Sequence, residues 1–196
     1  MTDRTFRKAL RKKTAMDEIT DIEEAELLDG NNRTPEAFEQ LYLRHVQPVF
    51  RYLYSRLGNR ADAEDATAET FLAALNGFAS YRHKGYFSAW LFSIARHKAV
   101  DIYRKDRDPA ALDDTADIAG DVDILEDVIH NQRREALTRL IAALPEEERD
   151  LLRLRYTAGL SYSEISQLLS RSESAVKKTI YRLLARLESQ LEDYHE

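Results

Sequence analysis

The sequence predicts an all-α protein of two small helical domains joined by an acidic linker, and three observations predict it. Glycine and proline number only six and four in 196 residues, so few positions break a helix. Apolar residues recur at helical spacing from Pro35 to Lys105 and again from about Ile129 to Leu191. Between those runs, residues 107–128 lack strong periodicity and are rich in aspartate. The expected divisions are an arm at 1–33, a three-helix domain at 34–106, the linker at 107–128 and a four-helix domain at 129–196.

The arm opens on Arg4, Arg7, Lys8, Arg11, Lys12 and Lys13, passes through an acidic run at Asp17–Asp29 and ends at Gly30-Asn31-Asn32. Ile19, Ile22, Leu27 and Leu28 are spaced for a short amphipathic helix, and the arm is expected to be flexible or partner-dependent. Thr34-Pro35-Glu36 then places a cap, a first-position proline and an acid in series, which announces a helix. Phe38, Leu41, Tyr42, Val46, Val49, Phe50, Leu53 and Leu57 trace its apolar face up to Gly58-Asn59. His45 falls on that face and reads as a partly buried structural histidine.

A second helix is expected from about Asp62 to Leu75, with Ala63, Ala66, Phe71, Leu72 and Leu75 inward and Asn76-Gly77 closing it. The loop Phe78–Gly85 follows. A third helix from Phe87 to about Lys105 carries Trp90, Leu91, Ile94, Ala95 and Ile102 on one side and His97, Lys98, Asp101, Arg104 and Lys105 on the other.

Beyond the linker, Ala136, Leu137, Leu140, Ile141 and Leu144 mark a helix stopped by Pro145. Glu146-Glu147-Glu148 supply negative charge where the next helix begins, as its dipole favours. Leu151, Leu152, Arg155 and Tyr156 lead to the turn Thr157-Ala158-Gly159. Residues 161–182 then read as two short helices around Ser170-Arg171-Ser172. Ser161 with Glu164 makes a capping box, and Ser172 caps the second helix with Glu173 in its first turn. That helix shows Lys177, Lys178, Tyr181, Arg182 and Arg186 away from its apolar stripe. A short helix, a turn and a basic second helix suit a DNA-reading helix-turn-helix. An ordinary helical hairpin with a solvated basic face satisfies the same residues.

Composition narrows the class. Cysteine is absent, which removes disulfides, thiolate metal sites and thiol nucleophiles. No run is apolar enough to cross a bilayer, and no apolar segment follows the basic N-terminus as in a secretory signal, so a cytoplasmic location is expected. The net charge of −6 looks wrong for a DNA ligand. Yet from Arg107 to Ile129 eight acids (Asp108, Asp113, Asp114, Asp117, Asp121, Asp123, Glu126 and Asp127) oppose one arginine, so that segment alone outweighs the whole deficit. The remainder is near neutral with basic clusters at Arg82–Lys105 and Arg171–Arg186. Few phosphate contacts are on offer, so unaided DNA affinity should be weak and salt-sensitive.

Catalytic patterns are thin. There is no glycine-rich phosphate loop, HExxH sequence or nucleophile elbow. Glu192-Asp193-Tyr194-His195 has Glu-x-x-His spacing, but a di-metal bundle needs two copies with further carboxylates. No catalytic residue, metal site or cofactor is expected. The segment from Phe78 to Lys105 is more informative. Tyr81, Tyr86 and Phe87 offer rings for bases to stack on, and Arg82 and Lys84 offer charge for a single-stranded backbone. His83 and His97 suit a phosphate or a base edge. A loop capping a helix can also pocket one extruded base.

FASYRHKGYFSAWLFSIARHKAVDIYRKDRD resembles the conserved second region of bacterial sigma factors, especially the small extracytoplasmic-function group of the sigma-70 family. Ala63-Glu64-Asp65-Ala66-Thr67-Ala68-Glu69-Thr70-Phe71-Leu72 is similar to that family's polymerase-docking helix. LPEEERDLLRLRYTAGLSYSEISQLLSRSESAVKKTIYRLLARL resembles its fourth region. Together they cover Pro35–Lys105 and about His130–Leu191 in the family's order.

This resemblance implies a transcription initiation factor, not an enzyme, that binds core RNA polymerase and directs it to promoters. Asp62, Glu64, Asp65, Glu69, Phe71 and Leu72 would contact the largest core subunits. Tyr81, Arg82, His83, Lys84, Tyr86 and Phe87 would open the downstream promoter element and hold a flipped base, with His97, Asp101, Arg104 and Lys105 along the duplex or its fork. Arg171, Ser174, Lys177, Lys178, Tyr181 and Arg182 would read the upstream element. The implied partners are core polymerase, promoter DNA in double- and single-stranded form, and an anti-sigma factor, with no membrane insertion. The acidic linker would thread near basic polymerase channels. Ser170 and Ser174 stand where the family often has glycine, Lys178-Thr179 where it more often has Ser-Arg, and His97 where Asn is common. The competing reading, a stand-alone helix-turn-helix regulator, needs a dimer to span paired half-sites, and no sustained heptad seam provides one.

Overall fold

The first apolar run folds because its ends are chemically marked. In a computed structural model of the chain, Thr34 Oγ1 accepts from the Ala37 amide at 3.3 Å and α1 spans Pro35–Leu57. Gly58 ends it in the left-handed region at φ +72°, the conformation glycine adopts at least cost. Described are residue 28, residues 34–81, 86–105 and 126–193, with the backbone alone at 105, 126–133 and 193. The arm, apart from a buried Leu28, lies outside these residues, as do Arg82–Gly85 and most of the linker.

Asn59 caps α2, Arg60–Phe78, by accepting from the Ala61 and Asp62 amides at 2.8 and 3.3 Å. This helix departs from expectation twice. It runs through Asn76-Gly77 rather than stopping there; a Cβ at Gly77 would lie 3.1 Å from the Trp90 ring, so the glycine serves close helix packing, not termination. Leu72 and Leu75 also face outward, 60% and 51% exposed. Thr67 and Thr70 take inward places instead, their hydroxyls donating to the Ala63 and Ala66 carbonyls at 2.6 and 2.7 Å. α3, Phe87–Lys105, packs across both helices. His45 is buried at 5.7 Å from the Phe87 ring, the structural role expected of it.

The second half begins with α4, Glu126–Ala142, so the last residues assigned to the linker, Glu126–Val128, are helical. α5, Glu146–Leu152, continues into a π-turn at Arg153–Thr157. α6, Tyr162–Leu168, and α7, Glu173–Asp193, complete the order. Among the described residues every regular element is helical, and none of the helices is long and apolar enough to cross a membrane.

The two halves do not stand apart. Leu41, Val49, Tyr52 and Phe92 belong to one buried cluster with Leu151, Leu154, Tyr162, Ile165 and Ile180. At its edge the Asp150 carboxylate accepts from Tyr52 Oη at 2.7 Å, Arg56 Nη1 at 2.8 Å and Arg96 Nε at 2.8 Å. Asp150 is only 3% exposed, so this is an interior contact between halves some 54 to 98 residues apart in sequence.

Candidate nucleic-acid interface

The helix-turn-helix is built by local hydrogen bonds. Ser161 Oγ accepts from the Glu164 amide at 3.2 Å while the Glu164 carboxylate accepts from the Ser161 amide. Behind α6, the Ser170 amide donates to Gln167 O at 3.2 Å and the Arg171 amide to Ser166 O at 2.9 Å. That pair of bonds is a Schellman ending, which needs a left-handed residue; Ser170 supplies it at φ +52°. Ser172 Oγ accepts from the Ala175 amide at 3.3 Å to start α7. Beneath, the buried Arg155 guanidinium lies 4.5 Å from the Tyr162 ring centre and donates to Leu160 O at 2.6 Å, fastening the π-turn to α6. Burial pushes the Tyr162 phenol up to about 12.

Val176, Ile180, Leu183 and Leu187 face the interior, and α7 divides its polar residues into two sets. Ser174, Lys178, Tyr181 and Arg182 are exposed, and Arg171 projects beside them from the turn. Lys178 and Arg182 have no ion pair among the described residues. Arg171 Nη2 donates to Thr179 Oγ1 at 3.3 Å, tying the turn's cation to the helix face. Lys177 behaves differently. Its Nζ lies 2.5 Å from Glu173 Oε1 and 5.5 Å from the Tyr162 ring centre. Glu173 also accepts from Ser163 Oγ at 2.8 Å, and these bonds from Lys177 and then Ser163 hold its carboxyl below the ordinary range. Lys177 therefore clamps α7 to α6. Arg186 is likewise engaged, with Glu148.

In the first half, the aromatic residues split by depth. Phe87 is 0% exposed, ringed by Phe78, Tyr81 and Trp90 at centroid distances of 6.2, 5.7 and 5.5 Å. It presents no face to solvent, contrary to the stacking role that the sequence suggested. The reason is packing: this ring fills the junction of all three helices. Tyr81 is buried too, and Trp90 is half-buried against the cluster as expected. Tyr86 is half-buried, and its amide donates to Gln167 Oε1 of α6 at 2.7 Å. His97, Asp101 and Arg104 share an exposed face of α3. Arg82, His83 and Lys84 and the Lys105 side chain lie outside the described residues.

On α2, Glu64, Asp65 and Glu69 are exposed and Asp62 is half-buried. Glu69 accepts from Lys98 Nζ at 2.9 Å. Phe71 is buried, edge-on to Tyr42 at 4.8 Å. With Leu72 and Leu75 outward, this helix carries an acidic and apolar ridge. Among the described residues no group of His, Cys, Asp and Glu could hold a metal ion; the Glu192–His195 spacing, set aside as a metal site on sequence grounds, runs beyond them.

Residues 41–108 match the sigma-70 region 2 family, and residues 134–187 match sigma-70 region 4. The chain is 30% identical over 154 residues to the ECF RNA polymerase sigma factor SigM of Bacillus subtilis, covering 77% of this chain and 93% of that one. It belongs to the ECF RNA polymerase sigma factors. The ECF factor BldN of Streptomyces coelicolor is 32% identical over 164 residues, 81% of this chain, which spans 61% of that longer relative. The structure of CnrH in complex with the cytosolic domain of CnrY superposes with a TM-score of 0.58 at 26% identity, covering 88% of this chain and 97% of that one. As an ECF sigma factor this chain directs RNA polymerase to promoters and is not an enzyme.

Asp150 and its three donors are the residues this sigma factor's sequence did not announce. One signal was available. A carboxylate in the register of Leu151 and Leu154, on a face that should be apolar, is costly unless partnered. The partners, however, come from α1 and α3, and no local pattern points to them.

Proposed function

We propose that this sigma factor meets its promoter through two separate surfaces and its polymerase through a third. Arg171, Ser174, Lys178, Tyr181 and Arg182 on α7 take the duplex of the upstream element, cations on phosphates and the polar side chains at base edges. The loop Tyr81–Gly85 with Tyr86 receives the melted downstream strand. His97, Asp101, Arg104 and Lys105 follow the duplex at the fork. Phe87 and Tyr81 are buried with their ring centres 5.7 Å apart, and Lys177 holds the helix-turn-helix rigid. The α2 ridge, with Asp62, Glu64, Asp65, Glu69 and Leu72, docks on the largest core subunits. An anti-sigma factor is a further partner, by analogy with CnrH in its complex with the cytosolic domain of CnrY.

The observation that carries this reading is the division of α7: its free cations all lie on the face away from the core. Four or so phosphate contacts give weak, strongly salt-dependent binding, so selectivity arises when polymerase holds both halves on DNA together. The test is transcription in vitro with core polymerase, the purified chain and a pool of genomic fragments. New, discrete start sites should emerge only when the chain is added, and Lys178→Ala with Arg182→Ala should abolish them. Start sites identical with and without the chain overturn the reading.

A further inference from the structure

Arg171 is fixed at both ends. Its amide donates to Ser166 O at 2.9 Å where α6 closes, and its Nη2 donates to Thr179 Oγ1 at 3.3 Å, eight residues further on. Thr179 has no part in the promoter surface proposed above, yet its hydroxyl is set to receive a cation. The Oγ1 hydrogen is spent on the Ala175 carbonyl at 2.8 Å, so only lone pairs remain to face a partner. A guanidinium, with donors and no acceptor, is the complement of such a group. Among the described residues this is the one bond that the Arg171 side chain makes. From this geometry, and resting on the promoter contact proposed for Arg171, we infer that Thr179 is a positioning residue. It holds the Arg171 guanidinium along α7, ready for a phosphate of the upstream duplex.

The nature of the hold matters as much as its place. Lys177 and Arg186 on the same helix are bound by carboxylates, Glu173 and Glu148, which offset their charge. Thr179 is neutral, so Arg171 keeps its full charge for DNA. The bond occupies a single N–H of the guanidinium, and the rest of the planar fork stays available for two-point contact with phosphate oxygens. Helix spacing gives a reason for the hold. Lys178 adjoins Thr179, and Arg182 lies three residues beyond it on the neighbouring turn; both are exposed. A guanidinium kept at Thr179 therefore joins their charges on one face, against the like-charge repulsion that disfavours such neighbours. An unheld arginine rooted in the turn would sample many rotamers and lose most of them on binding. The held one meets the duplex already in its bound pose, which lowers the ordering cost of association.

The test is the affinity of the full chain, assembled with core polymerase, for a promoter fragment whose start site it directs. The variants are Thr179→Val, which keeps the shape and loses the hydroxyl, Thr179→Ser, which keeps the hydroxyl, Arg171→Ala, and Arg171→Ala combined with Thr179→Val. Each is checked for native helix content and melting. If Thr179 sets the fraction of chains with Arg171 in the binding pose, the apparent dissociation constant varies inversely with that fraction. Arg171→Ala should weaken binding about tenfold and lower the salt slope by about one. Thr179→Val should weaken it about threefold with the slope unchanged, because the same phosphates are met once bound. Thr179→Ser should stay within about twofold of the wild type, its hydroxyl still placed to accept. The double variant should bind no worse than Arg171→Ala alone, since coupled residues do not add their losses. Equal losses from Thr179→Val with and without the arginine overturn the inference, as does a Thr179→Ser variant as weak as Thr179→Val. Both results leave the promoter surface as proposed. An Arg171→Ala chain that binds like the wild type fails differently: it removes Arg171 from that surface, and its positioning by Thr179 with it.

Discussion

At Ser170 a side chain occupies the left-handed conformation that the end of α6 demands, and the small, hydrogen-bonding serine bears the strain because the two Schellman bonds fix the turn around it. The same contest between local preference and context separates two neighbouring aromatics. Phe87 and Tyr86 look equivalent in sequence, two rings beside a basic loop. The first is interior and the second reaches the surface. Phe87→Ala should therefore cost about 3–5 kcal/mol of unfolding free energy, the range for truncating a buried ring, measured by denaturant titration. Tyr86→Ala should leave stability within about 1 kcal/mol and instead lower promoter opening, read as reduced permanganate reactivity of unpaired thymines. A comparable stability loss in both would mean that Tyr86 is a packing residue and the base-holding role is misplaced. What the sequence made legible at this scale is cap chemistry: Thr34, Ser161 with Glu164, and Ser172 act as their local patterns require. Depth was not legible for Phe87, because burial there depends on α1 and α2 converging on one ring.

Among the elements, α2 shows how far periodicity can mislead. A single apolar stripe places Leu72 and Leu75 in the core, yet both are outward while two threonines bond to their own helix inside. Exposed leucines beside Glu64, Asp65 and Glu69 are the composition of a docking face rather than of a packing error. Changing Leu72 and Leu75 to alanine should alter stability by less than about 0.5 kcal/mol and weaken binding to core polymerase by about tenfold, near 1.4 kcal/mol. Co-sedimentation with core enzyme checks the second and thermal melting the first. A variant that binds as tightly as wild type places the docking surface elsewhere. α7 was readable in advance because its division is local, apolar residues at three- and four-residue spacing and cations opposite. Lys177 and Arg186 depart from that division, the first drawn into the clamp with Glu173 and Tyr162 and the second paired with Glu148, contacts fixed only once the turn and the neighbouring helix have folded.

Over the whole molecule, the family's two-region order was legible, because each region carries its own periodicity and punctuation. The joining of both halves through Asp150 was not, because it depends on contacts that span up to 98 residues. Charge acts at this same scale. The chain carries −6 overall, and the acidic stretch accounts for the whole of it, so the helices proposed to face DNA belong to a molecule whose net charge repels DNA at long range. Such repulsion suppresses non-specific binding, which is mostly electrostatic, and leaves selection to the surfaces that polymerase holds in place. A stretch of aspartates can also follow basic channels that otherwise hold nucleic acid. Both effects reverse together if Asp113, Asp114, Asp117 and Asp121 become lysine, a change that carries the net charge from −6 to about +2. The reversed chain should bind random duplex more tightly, with a steeper salt dependence in filter binding, and yield fewer promoter-specific transcripts. Its melting temperature should stay near that of the wild type, as expected of changes in a stretch of sequence without apolar periodicity. A transcript yield that matches wild type, despite tighter random binding, would reduce the stretch to a solvated spacer and leave selectivity to α7 and the loop after α2 alone.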